Sequence, residues 1–284
     1  MHVPPGVSAT VLPPAPDTAV STALRAANRA GVRIRLADDV RTLEAVSRFL
    51  AQVWQTPESH APFGADALRA VVHAGGAVHY AADDDGIVAA SGLIFCPPVT
   101  RAVYSLIAAA RASDRGVGFA LKQAQRVWAL DQGAETMVWT FDPLVSRNAH
   151  FNLAKLGARG TEYTVDFYGQ IEDGVNGADE TDRFTAVWPL RDPNPVQLPG
   201  PDLTTVDVDP RRAPDGEPFL ARDGSGYWCR VPSDIVGLRR LNARLGAEWR
   251  YAIRDVLVPL FADGYTATGF SRSGWYHLTE GKRA

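Results

Sequence analysis

The sequence predicts a mixed α/β protein with a mainly antiparallel central sheet flanked by helices, and three observations carry that expectation. Strand-like and helix-like stretches follow one another irregularly instead of repeating as βαβ units. The turn Asp83-Asp84-Asp85-Gly86 joins two apolar runs, as in a hairpin. A glycine-bearing stretch, Arg115-Gly116-Val117-Gly118, stands between a strand-like run and a helix-like one.

The proline-bearing residues 1–28 read as a flexible arm, with order expected from about Ala23. Residues 32–36 alternate like a strand, and residues 40–53 place Val40, Leu43, Val46, Phe49, Leu50 and Val53 on one helical face. A short helix is expected over 64–73, then the hairpin 77–82 and 87–95, ended by Pro97-Pro98. The apolar run 102–110 is the next strand. A helix over 118–132 stops at Gly133, and 136–141 returns as a strand before Pro143. A single helix over 146–156 is expected to open on Ser146 and stop at Gly157. Strands over 163–168 and 184–190 close a domain of residues 29–190. A proline-rich linker, 191–201, leads to a C-terminal subdomain, 202–284. Strands are expected there over 202–209 and 226–231, with a helical region over 232–262 broken near Gly246 and a closing hairpin of 266–271 and 275–279.

With 284 residues, 46% hydrophobic and 21% charged, the chain can bury a substantial core. A net charge of −3 advertises no nucleic-acid surface, so a phosphate-bearing ligand would need a local pocket of donors. Cys96 and Cys229 form neither a disulfide framework nor a metal knuckle and read as thiols of a reducing cytoplasm. No His/Cys/Asp/Glu cluster has metal-ligand spacing, so no metal is expected. No apolar run approaches the ~20 residues that span a bilayer. The N-terminus lacks the pattern of a signal peptide, and a cytoplasmic protein with no membrane partner is expected.

Glycines in Arg115-Gly116-Val117-Gly118-Phe119-Ala120 let the main chain approach a ligand closely, and the helix N-terminus that follows favours an anion. A P-loop would need Gly-Lys-Ser/Thr, and a dinucleotide fold a third glycine in an early βαβ unit; neither is present. The spacing Arg115-x-x-Gly118-x-Ala120 resembles the pyrophosphate signature of GNAT-type acyltransferases. Downstream, WTFDPLVSRNAHFNLAKLGA (139–158), with Asn148-Ala149 and Lys155-Leu156-Gly157, resembles the GNAT strand, loop and helix that border the pantetheine arm. WTFDPL, RNAHFNLAKLGA, Phe167-Tyr168-Gly169 and Thr181-Asp182-Arg183 also look like a bacterial group of GNAT acyltransferases linked to N-acylation of amino acids. The likeness spans 32–190, and 249–270 more weakly.

The resemblance implies a GNAT fold whose smaller C-terminal α/β extension echoes part of a GNAT half. It implies acetyl-CoA or succinyl-CoA as donor and a small amine as acceptor, with no nucleic acid and a homodimer allowed. Leu106, Ile107, Ala108 and Ala109 are then expected to offer main-chain contacts to the coenzyme. Gly116, Val117, Gly118 and Ala120 meet its phosphates, with Arg111 and Arg115 as the nearest cations, and Asn148 and Phe151 border its arm. Tyr104 occupies a position where the family often places a catalytic side chain, and Asp142 could take an amine proton through water. The family's usual tyrosine position holds Leu153, and histidines that relatives carry at the positions of Tyr104 and Leu106 are absent. Tyr168, Asp173, Asn176 and Arg183 are the candidate acceptor contacts; Arg183 suits a carboxylate. Acylation of a hydroxyl or a carrier-bound intermediate, and coenzyme binding without turnover, remain open at this point.

Overall fold

In a computed structural model of the chain, residues 15–111, 115–169 and 180–281 are described. Helix α1 (Asp17–Ala30) ends on Gly31, whose left-handed φ of 66° returns its N–H to the last turn. The expectation of a flexible arm is therefore corrected over residues 17–28, while residues 1–14 of that arm lie outside the described residues. An alanine-rich face (Ala26, Ala27 and Ala30) lies flat against Val117, Ala120 and Leu121 and needs no larger apolar groups to be held. Strand β1 (Arg33–Leu36) leads to α2 (Val40–Trp54), opened by the Asp39 side chain accepting from the Thr42 N–H, and to α3 (Ala65–His73). The hairpin follows as β2 (Ala77–Asp83) and β3 (Gly86–Phe95), then β4 (Ala102–Ala110), α4 (Val117–Asp131) and β5 (Thr136–Phe141).

The expected single helix over 146–156 is in fact a short α5 (Ser146–Ala149) running into π-helical turns over His150–Lys155. It stops at Gly157, where φ is 77° and a Cβ would meet the Asn194 carbonyl carbon at 2.7 Å. Strand β6 (Arg159–Thr164) starts earlier than expected and ends sooner, because Asp166 takes a φ of 45° that breaks the extended chain. Then come β7 (Arg183–Pro189), β8 (Asp207–Val208), β9 (Leu220–Asp223), β10 (Gly226–Arg230), α6 (Ile235–Leu241), α7 (Ala243–Ala262), β11 (Tyr265–Phe270) and β12 (Trp275–Glu280). The helical region breaks at Asn242, not near Gly246. Asn242 caps α7 by accepting from the Leu245 N–H, and Gly246 lets α6 approach, since a Cβ there would meet Arg239 Cγ at 2.8 Å.

All these strands join one twelve-stranded sheet in the order β1-β2-β3-β4-β5-β7-β6-β11-β12-β10-β9-β8. The mixed α/β class with a mainly antiparallel sheet stands: among the named strands only β4 and β5 run parallel, as the α4 crossover between them requires. The C-terminal extension adds its strands to the same sheet where Ala267 of β11 meets Gly160 of β6. Gly160 allows that approach; a Cβ would lie 3.2 Å from the Phe184 ring. Phe184 in turn packs on Phe261 and Tyr276, with centroids 5.0 and 5.2 Å away, so both parts share one core. The connector 191–201 is fastened rather than free: Arg126 donates to the Leu190 and Arg191 carbonyls, and Leu198 covers Gly269.

Helices α1 and α4 cover one face of β2–β4 (Ala81, Ala89), and α2 and α3 cover the other (Val78, Ala90, Ile107). On the α4 face His79 is buried edge-on to Trp128, and burial pushes its pKa down to about 4. An unfolded histidine titrates near ~6.5, so this group's contribution is fully present above that pH and is lost as pH falls toward about 4. Urea titrations between those limits should show stability falling by up to about 3 kcal/mol on this account. His79→Leu should flatten that part of the profile.

Candidate functional site

Strand β4 pairs with β3 from Val103 to Ala110, but with β5 only over Ala102–Tyr104 against Thr136–Val138. Beyond that point β5 stays with β7 as far as Phe141 opposite Phe184. The two parallel strands thus part in mid-sheet, because each is held by a different neighbour. Main-chain groups of β4 from Ser105 onward face the resulting gap, where they need partners. The pairing with β3 also skips Leu106: Ile107 faces Gly92 and Ser105 faces Leu93. Such a bulge turns a peptide group out of the ladder. Of the four residues expected to offer main-chain contacts, Ile107 and Ala109 bury their side chains against α2, Leu106 is half-buried and Ala108 is exposed.

At the open end of the gap, α4 begins on Gly116 in a left-handed conformation with φ of 84°. The N–H groups of Val117, Gly118 and Phe119 precede the first intrahelical donor, the Ala120 N–H, and point out of the helix end. A Cβ on Gly116 or Gly118 would meet nothing within 4 Å, so the space in front of these amides is open. Packing therefore does not demand glycine at 118; an approaching ligand would. Ala120 is corrected as a ligand contact: its N–H is bonded to the Gly116 carbonyl at 3.0 Å and its side chain is fully buried. Val117 is buried too, which leaves its amide as its contribution. Arg115 pairs with Asp83 at 2.9 Å, and Arg111 is exposed at the strand end. Asn148 is exposed on α5, whereas Phe151 packs on the core.

On the opposite face of the sheet from α4, Tyr104, Thr140, Tyr168 and Arg183 come together. The Tyr168 hydroxyl lies 3.2 Å from Thr140 Oγ1, and the Arg183 guanidinium sits 5.2 Å over the Tyr168 ring. Burial raises the Tyr104 pKa, a hydrogen bond to Thr140 pulls it back and Tyr168 adds to the rise. A neutral phenol results. Arg183 Nη1 donates to the Asp182 carbonyl, not to its carboxylate; that carboxylate is bound by Arg254 at 2.7 Å and by the Tyr163 hydroxyl. Asp173 and Asn176 lie outside the described residues.

Asp142 is corrected as a proton acceptor. It is buried and held by Arg239 at 2.9 Å and Arg250 at 3.1 Å, and it accepts from the Leu144 N–H. Burial alone would raise its pKa, but the two guanidinium groups outweigh that and hold it below the usual carboxylate value. It therefore stays charged and structural. A residue missed from the sequence lies across the gap: Lys122 of α4 is fully enclosed, with Nζ 3.0 Å from Ser105 Oγ and 4.1 Å over the Trp139 ring. A lysine on the face of α4 that also carries Ala129 was the available signal. Among the described residues no group of three His, Cys, Asp or Glu side chains is placed to hold a metal ion, and no helix is long and apolar enough to cross a membrane.

No family model matches the chain, and no curated protein matches it in sequence. Solved structures do resemble part of it. It is similar to an IAA acetyltransferase from Bacillus cereus at 17% identity and a TM-score of 0.42, over 56% of this chain and 99% of that one. An N-acetyltransferase from Staphylococcus aureus gives 17% and 0.44, over 56% and 98%. A GNAT superfamily phosphinothricin acetyltransferase from Sinorhizobium meliloti, in complex with AcCoA, gives 16% and 0.45, over 56% and 88%.

Asp142→Asn should cost about 3–5 kcal/mol in urea unfolding by removing the buried carboxylate charge that Arg239 and Arg250 share. A solvent-fed base would instead leave stability nearly unchanged.

Proposed function

We propose that the chain transfers an acyl group from acyl-coenzyme A to the amine of a small molecule. The gap between β4 and β5, with helix-end amides at its mouth that have no partner among the described residues, carries this reading. A pyrophosphate at Val117, Gly118 and Phe119 gains both hydrogen bonds and the favourable end of the helix dipole. Ligands of open α/β sheets favour such a place, at the carboxyl ends of parallel strands. Pantetheine carries amides of its own, and the edge of β4 beyond Tyr104 offers them the partners that β5 does not. The thioester then reaches the Leu106 bulge, where a main-chain N–H can polarise its carbonyl.

The acceptor approaches from the Tyr104 face. Its neutral amine attacks the carbonyl carbon, the N–C bond forms, and the C–S bond breaks to release the coenzyme thiolate. Tyr104, kept protonated, donates a hydrogen bond at the reacting centre. Arg183, braced over Tyr168, suits a carboxylate on an amino-acid acceptor or on a succinyl-type acyl tail. Acetyl-CoA is the donor to test first.

Calorimetric titration with acetyl-CoA should show binding, and thiol release should require an amine. Gly118→Asp places an acid before the amides without any packing clash, and should weaken binding by about 100-fold or more, roughly 3 kcal/mol. Unchanged affinity would remove the reading. Tyr104→Phe should lower kcat by about 100-fold while coenzyme affinity holds within about twofold. Unaltered turnover would return Tyr104 to a packing role.

A further inference from the structure

Between α4 and the sheet lies a layer of buried polar side chains to which the binding geometry gives no role. Lys122 reaches across the two strands where they part: its Nζ donates to Ser105 Oγ of β4 at 3.0 Å. On the β5 side it lies 3.7 Å from Met137 Sδ and 4.1 Å from the Trp139 ring centre. Among the described residues no carboxylate pairs with it. On the same side of the sheet, His79 Nδ1, Ser91 Oγ and both amide atoms of Gln125 are buried without protein partners. Buried polar atoms of this kind are commonly satisfied by enclosed water. Enclosing a lone lysine works against stability, so its presence asks for another reason.

Acyl transfer requires a proton for the departing thiolate. Leu153 cannot give one and is buried in the core. Ser105, by contrast, follows Tyr104, the last β4 residue paired with β5, and so opens the gap. We infer that Lys122, acting through the Ser105 hydroxyl, supplies the proton that the coenzyme thiolate takes as it leaves. This inference rests on the acyl-transfer reading above. As the C–S bond breaks, its electron pair stays on sulfur, and sulfur takes the Ser105 hydroxyl proton. Ser105 Oγ is reprotonated in the same step from Lys122 Nζ, which becomes a neutral amine. Water restores its proton as the products depart. The proton lost by the acceptor nitrogen leaves to solvent on the Tyr104 face.

The surroundings suit that task. Burial pushes the Lys122 amine down to about 7, which matches a proton donor working near neutral pH. The other titratable groups around it are few. His79 on β2 is neutral at that pH, and Arg126, one turn along α4, donates to the Leu190 and Arg191 carbonyls. Strand β3 offers Ser91, β5 offers Met137 and Trp139, and α1 keeps Asp17, Arg25 and Arg29 exposed.

Purified full-length protein, acetyl-CoA and a panel of free amino acids with hydroxylamine provide the test, read as thiol release against pH. A proton donor must be protonated to act, so wild-type kcat should fall as pH rises through about 7. Lys122→Met, which fills the same space without a buried amine to desolvate, should fold and bind acetyl-CoA as the wild type does. Its kcat should drop by about 100-fold with KM nearly unchanged, and the fall above neutrality should disappear. Ser105→Ala should lower kcat similarly while Lys122 remains. Thiol release with an unaltered Lys122→Met pH profile overturns this inference alone. No amine-dependent release by the wild type overturns the acyl-transfer reading and this inference together.

Discussion

The early end of the β4–β5 pairing is the constraint on which the rest of the molecule depends. A parallel pair is joined by a crossover, and α4 supplies it, so one helix end falls at the carboxyl end of β4. The strands separate after Tyr104 and Val138 because β3 keeps β4 and β7 keeps β5. Among the described residues, a strand edge and helix amides without partners are then neighbours. The same crossover creates both halves of the site proposed for the coenzyme. The bulge at Leu106 falls within that stretch, where the chain is freed on one edge already.

Separated strands tend to close unless something holds them, and the C-terminal extension does so. Asp142, at the end of β5, is gripped by Arg239 of α6 and Arg250 of α7, and Tyr276 of β12 donates to the adjacent Pro143 carbonyl. Asp182, at the start of β7, is gripped by Arg254 of α7. Both strands of the β5–β7 pair are thus tied, at the same end, to the same long helix. Charged groups out of water are poor sources of net stability, yet they demand one geometry. That makes the extension a brace for the far wall of the gap, which explains why its strands continue the sheet instead of forming a separate body.

Much of this was legible from residues alone, and the reasons differ by element. Gly116 and Gly118 marked the helix end because their conformational freedom is a local property. The turn before Gly86 marked the hairpin for the same reason. Long-range charge was not legible. Asp142 beside a strand end looks like an accessible base in sequence, and only the fold brings arginines ninety or more residues away to its two oxygens. Helix α1 reads as a loose arm because prolines crowd the chain before it and its buried residues are alanines, although apolar positions do recur there at helical spacing. Helix α4 buries Lys122, Gln123, Gln125 and Arg126, so its inner face does not read as core by hydrophobicity.

That inner face is the least expected part of the molecule. A helix laid on a sheet ordinarily buries an apolar stripe, and α4 does so at Val117, Leu121 and Leu130. Between those residues it encloses cation and amide groups against Ser105, Ser91 and His79. Such a layer loses the apolar contacts that would stabilise it and must satisfy or neutralise what it buries. His79 meets that demand by staying neutral, and Arg126 by finding carbonyls in the connector. Lys122 meets it least well, since a serine, a thioether and an indole are its neighbours. Its cost falls at the point where β4 leaves β5. Under the proposed acyl transfer, an amine whose pKa burial lowers to about 7 beside the reacting bond is useful in a way that a methionine or leucine would not be.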